Sequence, residues 1–248
     1  MNKFITERRI FYILKSITAI ILIVNLSCIN VRALNEGYIN NTINIKSKSI
    51  KESTVHLNVD INIPVIEGIK NKDVEKQINF KLENRSIEFL KDVKLLQKEY
   101  KEQSEKYGEV PQAFEARSEF KIRYNKNNIL SMPIIYYQYT GGAHGIYFQK
   151  TFNFDTNLEK EIKIGDLFKE DFNYKKIIND KIAETIDKNE NSFFKDRFKG
   201  IDDSTDFYLS QGELVIYFQL YDIAPYASGI PEFKIPYSLI EKGLKYKL

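Results

Sequence analysis

Two hydrophobic periods meet in the first half of this chain, and their junction limits what it can fold into. Val55, Leu57, Val59, Ile61 and Ile63 alternate with His56, Asn58, Asp60 and Asn62, which predicts a strand with one buried and one wet face, closed by Pro64. After a break at 68–72, Val74, Ile78, Leu82, Phe89, Val93, Leu96 and Tyr100 recur every three or four residues. That spacing predicts a long amphipathic helix or a pair, ended by Gly108 and Pro111. Lys91, Lys94, Lys98, Lys101 and Lys106, interleaved with Glu99, Glu102 and Glu105, read as a solvated helix face with neutralising pairs. His56 stands alone on the wet face of the strand and takes no role. Ahead of it, Leu34 to Ser53 lacks steady periodicity and reads as a loose lead-in or an edge strand.

Beyond the helix the period returns to two. Phe114, Ala116, Phe120, Ile122 and Tyr124 oppose Glu115, Arg117, Glu119, Lys121 and Arg123, and Asn125 to Asn128 make a turn. Ile129 to Thr140 and Ile146 to Asp155 follow as central strands of an antiparallel meander, with Pro133 marking a bulge or an edge. Tyr174, Ile177, Ile178, Ile182 and Ile186 then keep helical spacing behind Asn173 as cap. Phe207 to Ser210, a Gln211-Gly212 turn and Glu213 to Tyr221 read as a hairpin, and Glu232 to Ile235 as a short last strand. Strands and helices cluster without alternating as βαβ units. The fold class expected is therefore α+β, a mainly antiparallel sheet packed against one long and one shorter helix.

Two loops concentrate unusual chemistry. Tyr139-Thr140-Gly141-Gly142-Ala143-His144-Gly145 carries three of the eleven glycines and one of the two histidines, between two strands. Its glycines free the backbone for positive φ or close approach. Tyr221 to Gly229 is an apolar loop bent by Pro225 and Gly229, in which Tyr226 is an amphipathic anchor suited to a partner's cleft. Should the two loops lie side by side at one end of the sheet, they form one binding edge. Imidazole is a common general base, but no nucleophile stands out beside His144, so a structural or contact role is expected. Asp202, Asp203 and Asp206 lack the glycine and terminal Glu of the standard calcium loop and read as a solvated turn.

The first 33 residues stand apart. Lys3, Arg8, Arg9 and Lys15 precede an uncharged, mostly apolar run to Val31, and Val31-Arg32-Ala33 ends on small residues: a secretory signal cleaved after Ala33. An uncleaved anchor is the alternative, although the run falls short of the roughly 20 residues of a spanning helix. A lipoprotein signal at Cys28 fits poorly, because Asn25 stands where an apolar residue is expected. Five of the 37 basic but one of the 34 acidic residues lie in this segment, which leaves the remainder near neutrality and argues against nucleic acid or anionic lipid as partner. Cys28 is the sole cysteine, so core burial rather than disulfides must hold the rest. Its 17 Phe and 16 Tyr, with no Trp, point to aromatic packing.

Tyr139 to Gly145, Phe152-Asn153-Phe154-Asp155, Ile164-Gly165-Asp166-Leu167-Phe168, Phe207-Tyr208 and Tyr221 to Gly229 together resemble the extracellular region of the anti-sigma factor RsiV. Val55 to Asn79 resembles the amino-terminal module that RsiV shares with the peptidoglycan deacetylase PdaC. Beyond the signal peptide read at 1–33, the resemblance implies a PdaC-like module at 34–110 and an RsiV-like module at 111–248, packed as one unit. It further implies a secreted or cell-envelope protein that binds or senses a lysozyme-like muramidase, with no catalytic residue, cofactor or metal. Thr140, Gly141, Gly142, His144, Gly145, Pro225, Tyr226 and Gly229 are the partner-binding candidates.

About 15 residues precede the apolar run, so no sigma factor is expected, and only His56 and His144 are available for the metal site a deacetylase needs. Direct peptidoglycan or glycan binding is the alternative function. Sugar hydrolysis by a carboxylate pair such as Asp155 and Asp166 ranks last, since the spacing it requires is not visible in sequence.

Overall fold

A computed structural model describes residues 42–248; the expected signal and its expected cleavage after Ala33 lie outside the described residues. Strand β1 (Asn44–Ser53) turns through 54–56 into β2 (Leu57–Glu67), and helix α1 (Lys72–Lys106) follows as one unbroken element. Next come β3 (Phe114–Phe120), β4 (Tyr124–Lys126), β5 (Ile129–Tyr139), β6 (Ile146–Asp155) and β7 (Lys160–Glu161). After α2 (Tyr174–Asp187), strands β8 (Phe207–Ser210), β9 (Glu213–Tyr217) and β10 (Glu232–Pro236) and the short α3 (Tyr237–Ile240) complete the chain. The main sheet runs β1-β2-β3-β5-β6-β7, with β4 also on β5, and β10-β9-β8 form a second sheet. The α+β class holds, with one correction: β2 and β3 are parallel, joined by α1 as a crossover, so one βαβ unit is present.

Alternation along the strands sorts the main sheet into two faces. Ile61, Ile63, Ala116, Ile134 and Tyr136 face α1 and close a core with Ile78, Leu82, Phe89, Leu90 and Val93. Opposite them, Tyr124 and Ile129 enter a second core with α2 and the β8–β10 sheet, through Ile178, Ile182, Leu209, Leu214, Ile216 and Phe233. That second layer reaches only part of the face, where β8 packs on β5 and β6.

Three expectations change in detail. Val55 is exposed in the β1–β2 turn, and Leu96 is also largely exposed. Pro64 does not end β2; it sits inside the strand, opposite Ser47. On its other side β3 has already left the pairing, and the edge is satisfied by side chains: Asn62 N–H donates to Ser118 Oγ (3.1 Å) and Ile66 N–H to Asn79 Oδ1 (2.7 Å). A proline between these two donors costs no ladder bond. Pro133 marks a bulge, as expected: Phe120 pairs with Ile134 and Tyr124 with Ser131, so 121–123 oppose only 132–133.

Local signals explain the turns and caps. Asn127 and Asn128 both take positive φ (52° and 63°), the conformation a tight hairpin between β4 and β5 demands. Asn173 Oδ1 accepts from Lys176 N–H at the start of α2. At the open edge of β6, the Gln219 side-chain amide donates to Gln149 O (2.8 Å) and accepts from Gln149 N–H (3.0 Å). Among the described residues, no helix is long and apolar enough to cross a membrane.

Candidate functional site

The two glycine-bearing loops meet. β5 and β6 pair out to Gln138 opposite Ile146, and the connection beyond them folds back on Tyr139, whose hydroxyl donates to Gly142 O at 2.9 Å. Gly141 and Gly142 take φ of 93° and 92°, a region closed to most side chains. Gly145 is required for a different reason: a Cβ there would lie 2.4 Å from the Tyr137 ring.

The 225–229 loop reaches the same point from the second sheet. Tyr226 Oη donates to Gly145 O (2.8 Å), and the Tyr226 ring stacks on His144 with centroids 3.9 Å apart and planes 20° apart. His144 Nδ1 lies 2.9 Å from the same carbonyl. A carbonyl can only accept, so the imidazole donates from Nδ1. Gly229, at φ 69°, lets Tyr147 Oη come within 3.1 Å of where a Cβ would stand. Tyr221 packs on Tyr226 at 5.9 Å and itself holds φ at 68°, an uncommon conformation for an aromatic residue.

Of the eight candidates, His144, Gly145, Tyr226 and Gly229 are therefore in one cluster. Thr140, Gly141 and Gly142 occupy the other limb of the first loop, and Pro225 opens the short helical turn that presents Tyr226.

Behind this cluster the uncovered half of the sheet forms a groove that the sequence did not reveal. A cavity of about 360 Å³ is lined by Asp60, Asn62, Arg117, Glu119, Tyr137 and Tyr147, from β2, β3, β5 and β6. Register makes the floor: Asp60 lies beside Arg117, Arg117 opposite Tyr137, and Tyr137 opposite Tyr147. The Arg117 guanidinium sits 5.8 Å over the Tyr137 ring and 2.8 Å from a Glu115 oxygen. Tyr147 meets Tyr226 edge-on at 6.4 Å, which joins groove and loop cluster. Burial, reinforced by Glu115, raises the Tyr137 pKa, and burial with Tyr226 nearby raises that of Tyr147, so both hydroxyls stay protonated around neutrality.

Other acidic residues are occupied elsewhere. Asp155 Oδ1 accepts from Asn157 and Leu158 N–H (2.9 Å each), and Asp166 Oδ2 from Lys163 N–H. Asp202 caps its own turn through Ser204 N–H, and Asp203 pairs with Lys175 at 2.7 Å. Among the described residues, no group of three or more His, Cys, Asp and Glu side chains gathers closely enough to hold a metal ion.

Replacing Gly145 by alanine is expected to lower stability by about 1–3 kcal/mol, because the new methyl must displace the Tyr137 ring. Denaturant unfolding measures it, and the His144–Tyr226 stack should loosen with it, visible as shifted ring signals in NMR spectra. A cost below about 0.5 kcal/mol would mean that the loop does not depend on this close approach.

Comparison with known proteins bears on both halves. Residues 50–147 match the family model for the deacetylase PdaC, and residues 165–238 match DUF3298, a family of unknown function. The peptidoglycan-N-acetylmuramic acid deacetylase PdaC of Bacillus subtilis is 25% identical over 208 residues, covering 82% of this chain. The chain spans 42% of that enzyme's length. Crystal structures of DUF3298 proteins share the fold. One from Bacteroides fragilis has a TM-score of 0.65 at 21% identity, covering 84% of this chain and 96% of its own. Another, from Pseudomonas aeruginosa, has a TM-score of 0.57 at 18% identity, covering 83% and 95%.

Proposed function

We propose, from a chain in which a PdaC-like segment runs into a DUF3298 segment, that the protein is an extracytoplasmic cell-envelope module that binds a lysozyme-like muramidase without itself doing chemistry. The contact surface is the edge made by the 140–145 and 225–229 loops. The observation that carries this reading is the His144–Tyr226 stack, fixed from both sides on one carbonyl, that of Gly145. Ordering loose side chains costs roughly 0.5–1.5 kcal/mol each on association, and here that cost is met within the free protein. A rigid aromatic next to a histidine at a loop tip has the make-up of an interface hot spot. The resemblance to the RsiV extracellular region supplies the partner class, and similarity to a peptidoglycan deacetylase agrees with a place at the cell wall.

The test is the affinity of the purified protein for a panel of lysozymes. Binding at micromolar Kd or tighter, about −8 kcal/mol, is expected. Tyr226→Ala and His144→Ala should each weaken it by about 30-fold, the roughly 2 kcal/mol of a hot spot. Absence of binding across the panel, or full affinity in both folded variants, would overturn the reading.

A further inference from the structure

The uncovered half of the main sheet is longer than the cavity beside Tyr147. A second cavity, of about 410 Å³, lies over Lys51, Ser53, Asn58, Asp60 and Arg117, and the two share Asp60 and Arg117. Together they make one trough across β1, β2, β3, β5 and β6. Five strands at about 4.8 Å spacing give a floor about 20 Å long, a span of roughly four linked pyranose rings.

Three properties of the floor narrow its occupant. First, the backbone groups beneath it are paired within the sheet between β1 and β2, β2 and β3, β3 and β5, and β5 and β6. A ligand lying across the strands is read by side chains and cannot add itself as another strand. Second, these lining charges are already paired, within the lining for Lys51 with Asp60 (3.5 Å), and with neighbours on the same strand or just beyond it for Arg117 with Glu115 (2.8 Å) and Glu119 with Lys121 (3.8 Å). A ligand with net charge would have to break these pairs, whereas an uncharged polar one can add hydrogen bonds to them. Third, the polar groups are planar and double-headed, the carboxylates of Asp60 and Glu119, the Arg117 guanidinium and the Asn58 and Asn62 amides, and at one end stand the Tyr137 and Tyr147 rings. Two-pronged donors and acceptors match vicinal hydroxyl and acetamido groups, and the tyrosines at one end add apolar ring surface on which a sugar can pack.

We infer that this trough is a binding site for an uncharged oligosaccharide lying across the strands. It adjoins the loop edge proposed for the protein partner through the Tyr147–Tyr226 contact, but it rests on different residues and does not depend on that reading.

Titration calorimetry of the purified protein with the tetramer of N-acetylglucosamine and with cellotetraose tests it. At least one of these neutral tetrasaccharides should bind with a Kd in the micromolar to low-millimolar range. Asp60→Ala and Arg117→Ala, both at solvent-facing positions whose loss the fold should tolerate, should each weaken it at least tenfold. Lys98→Ala, on α1 across the sheet, should leave it within twofold. Absence of heat and of amide shifts in NMR titration with both sugars would overturn the inference. So would affinity unchanged in both variants, or binding of an uncharged tetrapeptide in place of either sugar. Loss of lysozyme affinity in Tyr226→Ala is read separately and says nothing about the trough.

Discussion

Replacing Tyr136 by alanine is expected to lower the unfolding free energy by about 3–5 kcal/mol, the cost of deleting a fully buried aromatic and leaving the space unfilled. Tyr136 is wholly inaccessible, stacks on Phe148 at 5.1 Å and tilts against Phe89 of α1 at 5.2 Å. Its hydroxyl lies 3.3 Å from Ser86 Oγ, so one side chain joins the centre of β5 to the middle of the long helix. Tyr136→Phe separates the two contributions. It keeps the ring and removes only a hydrogen bond, and Ser86 Oγ retains its bond to Leu82 O, so the cost should fall to about 0.5–1.5 kcal/mol. Urea unfolding of both variants decides the matter. Equal losses would show that the hydroxyl, and not the ring packing, fastens α1.

Ser131→Ala should cost about 2–4 kcal/mol and, more tellingly, uncouple the two sheets. Ser131 is fully buried; its hydroxyl donates to Asn153 Oδ1 (2.6 Å) and accepts from Leu209 N–H of β8 (2.8 Å). Asn153 in turn donates through Nδ2 to Phe207 O (2.9 Å). Two polar side chains of the main sheet thus fasten the edge of the second, and removing one hydroxyl strands a buried amide and a buried carbonyl oxygen at about 1–3 kcal/mol each. Hydrogen exchange should quicken at β8 and β9 before β2 and β5 are affected. Uniform acceleration over both sheets would instead mark a single cooperative unit. The result reaches the loop edge as well, because the second sheet carries Tyr226.

How far the sequence could be read follows from the range of each interaction. Strand β2, helix α1, the cap at Asn173 and the Asn127-Asn128 turn were all legible, since their determinants lie within a few residues. The parallel pairing of β2 with β3 was not: nothing in either strand states that the helix between them carries the chain back in the same direction. Contact between the two loops was raised only as a condition, and the bond that realises it joins residues 81 positions apart. The trough was hidden more deeply. Asp60, Asn62, Arg117 and Glu119 were visible as the wet face of two strands, and Tyr137 and Tyr147 as strand residues beside a glycine loop. Only register places them on one floor, and only the limited reach of the second layer leaves that floor open.

The amide of Gln219 carries a consequence for the protein at high concentration. A free β edge offers donors and acceptors to any extended chain, and sheets joined edge to edge grow into insoluble polymers. At the middle of β6, Gln149 presents its backbone N–H and C=O outward, and the Gln219 side chain takes both as a neighbouring strand would. Lys150 beside it is paired with Asp206, and Gln219 reaches that carboxylate too, so the plug is locked from behind. One glutamine thereby stands where a second copy of the chain could begin to aggregate.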